Sequence, residues 1–164
     1  MYKIAIVGAT GLVGSTIIKL LETHDLPIEN LTLLASNRSA GMEIAFKDEL
    51  IKVRELNEDI TTEDFDYVLM SAGGSISTYF SPLFEENGAI VIDNSSAWRM
   101  NPEIDLIVPE VNKPSLKRKI IANPNCSTIQ SVSPLKLLHD AFGLKRVAYT
   151  TYQSVSGSGL AGIE

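Results

Sequence analysis

The 164 residues are 45% hydrophobic and 21% charged, with a formal net charge of −6 and one cysteine, Cys126. That length and balance suit a globular domain with its own core and exclude a disordered chain. The longest apolar runs, such as YVLM at 67–70 and AIVI at 89–92, fall well short of the ~20 residues of a membrane span, and the densest basic cluster is KRK at 117–119, so neither a membrane nor nucleic acid is an expected partner.

A lone cysteine forms no internal disulfide and supplies no zinc site by itself, so no metal is expected and a reducing cytoplasm fits. Met1-Tyr2-Lys3-Ile4 leads straight into a strand pattern, which reads as a protein without a secretory signal. Small molecules and copies of the chain itself are the expected partners.

The chain opens on YKIAIVG (2–8), a strand that runs into Gly8, Gly11 and Gly14 and then into Leu12, Val13, Ile17, Leu20 and Leu21, spaced as one helical stripe over 12–22. A strand, a glycine turn and a helix in that order let backbone N–H groups and the helix dipole approach a pyrophosphate, while the last glycine allows close helix–strand packing. The spacing is G-x-x-G-x-x-G, a relative of the dinucleotide fingerprint.

NLTLLAS (30–36) follows as the second strand. An NAD site usually carries an acid about 20 residues after the glycines, to accept from the adenosine ribose. Ser36-Asn37-Arg38-Ser39 has none, and Arg38 can pair with a 2′-phosphate, which favours NADP.

Residues 40–57 break the rhythm with short, charged stretches and read as a small antiparallel excursion. DYVLMSA (66–72) is the fourth strand, and its exit through Ser71, Ala72, Gly73 and Gly74 lets the backbone pass close to a cofactor at the carboxyl edge of the sheet. AIVIDNS (89–95), DLIVPEV (105–111) and KIIANP (119–124) read as further strands. Their apolar residues are consecutive, as in parallel strands covered on both faces. The expected fold is α/β: a doubly wound, mostly parallel Rossmann sheet.

Asn123-Pro124-Asn125 is turn chemistry, and Ser127-Thr128 read as cap residues of a helix carrying Ile129, Val132, Leu135, Leu138 and Phe142, kinked at Pro134. Cys126 thus falls at a helix N-terminus, where the macrodipole and the N–H groups favour a thiolate. Beside a nicotinamide, such a thiolate adds to an aldehyde, and loss of hydride leaves a thioester that another nucleophile opens. RVAYTTYQSV (146–155) reads as one more strand, followed by a Gly/Ser loop. That loop reads as the opening of a second domain.

The motifs GATGLVG (8–14), SNRSAG (36–41), VLMSAGG (68–74), IDNSSAWRM (92–100), DLIVPEVN (105–112), IIANPNCSTIQ (120–130) and TYQSVSGSG (151–159) run in order along the chain. In this set it resembles the amino-terminal half of bacterial aspartate-semialdehyde dehydrogenase. The resemblance implies NADP-dependent, reversible conversion of L-aspartate 4-semialdehyde and phosphate into 4-phospho-L-aspartate, a step towards lysine, methionine and threonine.

On that likeness Cys126 is the nucleophile that carries the acyl group. Gln153 positions substrate, Arg99 binds the phosphate, and Asn125 helps to hold the tetrahedral oxyanion. Thr10, Gly11, Leu12, Val13, Arg38, Ser39, Ser156 and Gly157 are cofactor contacts, beside the glycine-turn and edge residues Gly8, Ser71, Ala72 and Gly73. His24 and His139 receive no role.

The same likeness implies an NADP-binding Rossmann domain over 1–126, the start of a catalytic and dimerisation domain over 127–164, and a homodimer of the full-length enzyme. It also implies that the general acid/base histidine and a carboxylate-binding arginine lie beyond Glu164, so that residues 1–164 alone are expected not to turn over substrate. N-acetyl-glutamyl-phosphate reductase, which uses related thioacyl chemistry, and a non-catalytic nucleotide-binding module remain the alternatives.

Overall fold

The computed structural model describes residues 1–152. Its elements in chain order are β1 (Tyr2–Val7), α1 (Leu12–Thr23), β2 (Ile28–Ala35), β3 (Glu43–Phe46), β4 (Glu49–Lys52), β5 (Arg54–Glu55), β6 (Tyr67–Met70), α2 (Gly74–Glu86), β7 (Ile90–Asp93), β8 (Asp105–Leu106), β9 (Ile120–Ala122) and α3 (Cys126–Phe142). Seven strands form one sheet in the order β5-β2-β1-β6-β7-β9-β8, and every pairing within it is parallel. β3 and β4 make a separate antiparallel pair over Glu43–Lys52, so the excursion is shorter than the 40–57 expected, and β5 within that range belongs to the main sheet.

Alternation along the central strands feeds two cores. Ile4 and Ile6 of β1 join Leu31, Leu33 and Ala35 of β2 and Ile18 and Leu21 of α1 on one face. Ala5 and Val7 join Val68, Met70, Val91, Ile120 and Phe84 of α2 on the other. Each strand is buried on both sides, which is why its sequence reads as an unbroken apolar run and not as an alternation.

The structure corrects several expectations. The buried face of α1 is Gly14, Ile18 and Leu21, whereas Leu12, Val13 and Leu20 are exposed. Gly14 lets the helix lie close to the β1 exit, and Ile18 and Leu21 on the same line fill the core beside it. The run at 105–111 pairs only through Asp105–Leu106. α3 contains Pro134 within its span, and none of the apolar residues expected along it is buried among those described. Residues 143–152 form no helix or strand, and the remainder of the strand expected over 146–155 lies outside the described residues. α2, which contains Pro82, was not foreseen. Among the described residues no helix is long and apolar enough to cross a membrane.

The C-terminal end of α2 is tied to the start of β9 by one carboxylate. Glu85 accepts from Arg118 Nε at 2.9 and 3.0 Å and from Lys119 N–H at 2.7 Å, and Arg118 Nη2 completes the fork. The Arg118 hydrogen bond is the main cause holding the Glu85 carboxyl below its ordinary range, against the opposing effect of burial. A depressed carboxyl stabilises the fold at pH values above the unfolded range near pH 4–5, and that contribution disappears as pH falls through the folded value. Glu85→Gln is therefore expected to lose about 1 kcal/mol near neutral pH, a figure that allows for the partly exposed arginine. The difference from wild type should shrink as pH falls below the unfolded carboxyl range and through the lowered folded value, as followed by urea denaturation across the acid range.

Candidate active site

Because the sheet is parallel, β1, β2, β6, β7 and β9 all deliver their exits to one edge. A lateral ladder of hydrogen bonds crosses that edge. Gly8 N–H donates to Leu34 C=O at 2.8 Å, Ser71 N–H to Val7 C=O at 2.9 Å, Asn94 N–H to Met70 C=O at 3.0 Å and Asn123 N–H to Asp93 C=O at 2.8 Å. The glycine turn and the cysteine turn thereby belong to one rigid rim.

β1 lies between β2 and β6, so the chain reverses its winding direction at the β1/β6 crevice, the position where ligands of open α/β sheets bind. Gly8 sits there at φ +83°, and a Cβ on it would stand 2.8 Å from the Ser71 carbonyl oxygen. Gly14 is tighter still, with a Cβ position 2.2 Å from the Gly8 carbonyl oxygen. Only glycines let the turn and the helix come this close. The crevice opens into a cleft of about 500 Å³ whose lining includes Gly8, Thr10, Gly11, Ser36, Ser71 and Ala72.

The expected cofactor residues divide. Gly8, Thr10, Gly11, Ser71 and Ala72 line the cleft, and Leu12, Val13, Arg38, Ser39 and Gly73 do not. Thr10 Oγ1 donates to Ser39 Oγ at 3.3 Å, which ties the glycine turn to the turn that carries Arg38. Ser71 Oγ donates to Val7 C=O at 2.9 Å. Gly73 has φ +89° and precedes α2 as its N-cap. Sequence reasoning missed the other side of the cleft, which is made by Asn37, Glu55, Leu56, Ile76 and Phe80. Nothing in their spacing announces them.

Cys126 is exposed and is the first residue of α3. The cap of that helix is Asn125, not Ser127 or Thr128. Its Oδ1 accepts the Ser127 N–H at 3.0 Å and the Thr128 N–H at 3.3 Å, as an N-cap oxygen does. The cap thus uses the Asn125 oxygen and two of the N–H groups of the first turn, in which Cys126 is the first residue.

Arg99 is half-buried and faces the backbone. Its Nε donates to Asn123 C=O and its Nη2 to Asn94 C=O, each at 2.9 Å. Asn123 Nδ2 adds a bond to Asn94 Oδ1 at 2.6 Å. Arg99 therefore braces the turn that leads to Cys126. The structure also places Asp93, fully buried, beneath that brace: it accepts Ser95 N–H at 2.6 Å and faces Ser81 Oγ at 3.5 Å. Gln153, Ser156 and Gly157 lie outside the described residues. Among those described, no group of histidine, cysteine and carboxylate side chains is suited to hold a metal.

A parallel sheet with β5, β2, β1, β6 and β7 in sequence, a glycine turn at its switch point and a helix dipole behind that turn define a dinucleotide-binding Rossmann domain. The family model for the semialdehyde dehydrogenase NAD-binding domain matches residues 3–119, and the chain belongs to that family. The protein is 51% identical over 167 residues to an aspartate-semialdehyde dehydrogenase of Aquifex aeolicus, in a match covering 99% of this chain and 49% of that relative. It is also similar to the crystal structure of aspartate-semialdehyde dehydrogenase II from Vibrio cholerae complexed with ASA, at a TM-score of 0.94 and 44% identity, covering 99% of this chain and 49% of that one. The Candida albicans aspartate-semialdehyde dehydrogenase solved with NADP is similar at a TM-score of 0.72 and 29% identity, over 88% of this chain and 48% of that one. The chain spans about half the length of the curated relatives it matches.

Proposed function

We propose that this chain carries the nucleotide-binding half and the nucleophile of an NADP-dependent aspartate-semialdehyde dehydrogenase, with a domain boundary at Cys126. The observation that carries the reading is the shared rim: the glycine cleft and the only cysteine of the chain leave the same edge of one parallel sheet. Relatives named for this activity and the Candida structure with NADP support it.

Gly8, Thr10 and Gly11 would hold the dinucleotide at its pyrophosphate, and Arg38 would pair with a 2′-phosphate. The nicotinamide, when bound, accepts or returns a hydride. Cys126 supplies the covalent chemistry. Its sulfur adds to the aldehyde carbon, and after hydride loss it holds the aspartyl group as a thioester. Phosphate then attacks that carbonyl, the C–S bond breaks, and the thiolate is regenerated as the acyl phosphate leaves. Asn125, through its amide Nδ2, is the donor available beside the tetrahedral oxygen, since its Oδ1 serves the helix cap. Arg99 keeps Nη1 for phosphate while its other nitrogens hold the Asn94 and Asn123 carbonyls. Gln153 would position the substrate, and Ser156 and Gly157 would contact the cofactor.

The half-reaction from the acyl-phosphate side needs no cofactor and isolates the thiol. Incubation with 4-phosphoaspartate is expected to add one aspartyl group to Cys126 with release of phosphate, detected by intact-protein mass spectrometry. Cys126→Ser should reduce the adduct at least about a hundredfold. Equal labelling of wild type and Cys126→Ser would reject the nucleophile, and preferential labelling by N-acetyl-glutamyl phosphate would reassign the substrate to the rival reductase.

A further inference from the structure

β5 brings a carboxylate into the dinucleotide cleft. It lies parallel to β2 with Arg54 opposite Leu34 and Glu55 opposite Ala35, and Leu56 N–H donates to Ala35 C=O at 2.9 Å. Glu55 thus stands beside the last residue of β2. NAD-selective Rossmann domains carry an acid at the end of this strand, where it accepts from the ribose hydroxyls of the adenosine. β2 runs into Ser36-Asn37-Arg38 without one.

Glu55 lines the same cleft as Gly8, Gly11 and Ser36. Its Oε2 accepts the Asn37 amide at 3.1 Å, which fixes the carboxylate against the turn and leaves Oε1 as an acceptor. The adjacent cation does not neutralise it: Arg54 forks onto Glu63, at 2.9 and 2.5 Å. A carboxylate so placed favours a hydroxyl and opposes a phosphate, while Arg38 on the neighbouring turn does the reverse.

We propose that Glu55, supplied from the neighbouring strand, accepts the adenosine ribose hydroxyl of a dinucleotide that lacks the 2′-phosphate, so that this cleft binds NAD as well as NADP. This rests on the dinucleotide reading above and adds the group that sets the preference between the two. Glu55 and Arg38 form the two arms of one selector: the acid serves the hydroxyl form and the arginine serves the phosphate form.

Calorimetric titration of the chain with NAD⁺ and NADP⁺ tests it on wild type, Glu55→Gln and Arg38→Ala. Gln retains an acceptor for Asn37, so the turn keeps its tie, and the ratio of the two dissociation constants on one preparation does not depend on the folded fraction. Glu55→Gln is expected to weaken NAD⁺ about tenfold and to leave NADP⁺ equal or tighter. Arg38→Ala should weaken NADP⁺ alone. A Glu55→Gln protein in which both constants move by one factor, or neither moves, overturns the proposal and leaves the dinucleotide site standing. So does a wild-type chain that binds NADP⁺ but not NAD⁺. A wild-type chain that binds neither removes the dinucleotide reading and this inference together.

Discussion

Gly14→Ala is expected to destabilise the protein by about 3 kcal/mol and to abolish dinucleotide binding. Elsewhere in a helix, the same exchange would stabilise by about 1 kcal/mol through helix propensity and a less flexible unfolded chain. Here the sign reverses. The added Cβ would lie 2.2 Å from the Gly8 carbonyl oxygen, 2.8 Å from Ala9 Cα and 2.9 Å from the Gly8 carbonyl carbon, all of them backbone atoms. No side chain can swing away, so α1 must lift off the β1 exit. The Gly8-to-Gly11 turn loses its shape with it, together with the Gly11 N–H to Gly8 C=O bond of 3.0 Å. Gly11→Ala is the control: its Cβ would meet the Gly8 oxygen at 3.4 Å, an ordinary contact, and its stability should stay within about 0.5 kcal/mol of wild type. Urea denaturation of the two variants makes the comparison, and nucleotide titration is read on Gly14→Ala against wild type. Equal stabilities would show that the turn tolerates what its geometry forbids.

Asp93→Leu is expected to cost about 2–4 kcal/mol and to slow acylation of Cys126 as well. Asp93 is fully buried and its hydrogen bonds come from neutral donors. Ser95 N–H donates at 2.6 Å and Ser81 Oγ lies at 3.5 Å; Ser81 Oγ is 3.3 Å from Ser77 Oγ, which accepts Trp98 Nε1 at 3.2 Å. Removing the acceptor strands a backbone N–H and breaks the Ser81–Asp93–Ser95 link between α2 and the segment 94–99, leaving Trp98 on Ser77 as the remaining bond between them. That segment carries Arg99, whose bonds to the Asn94 and Asn123 carbonyls set the approach to Cys126. Asp93→Asn keeps one acceptor oxygen for Ser95 and should recover most of the stability. The decisive readout is the labelling rate by 4-phosphoaspartate at a temperature where each variant is folded. A rate unchanged in folded Asp93→Leu would confine Asp93 to stability.

The division between what could be read and what could not follows from chemistry at close range. The glycine turn was legible because a strand, a G-x-x-G-x-x-G turn and an apolar helix act over a few consecutive residues. Cys126 was legible for the same reason, since turn residues before it and a helical pattern after it fix its place as the first helical residue. The cap was misassigned to Ser127 and Thr128. Asn, Ser and Thr all cap helices, and only the backbone geometry selects Asn125. The stripe of α1 was legible in part: Leu21 is buried and Ile17 packs on the same core, as expected, but Leu12, Val13 and Leu20 are exposed and the buried line runs through Gly14 and Ile18.

Sequence by itself determined the parallel, doubly wound sheet, the position of the nucleotide turn and the placement of the one thiol at a strand-to-helix junction, because strand periodicity and glycine or proline chemistry are local. Tertiary structure alone decided that Glu55 stands beside Ala35 across a strand pairing, that Arg99 grips backbone carbonyls, and that Asp93 is held by Ser81 and Ser95. Hydrogen bonds of the Asn37–Glu55 and Arg99–Asn123 kind join residues far apart in the chain, and their partners are chosen by sheet order and register. No local pattern encodes that order; it is set by which strands can bury both faces at once.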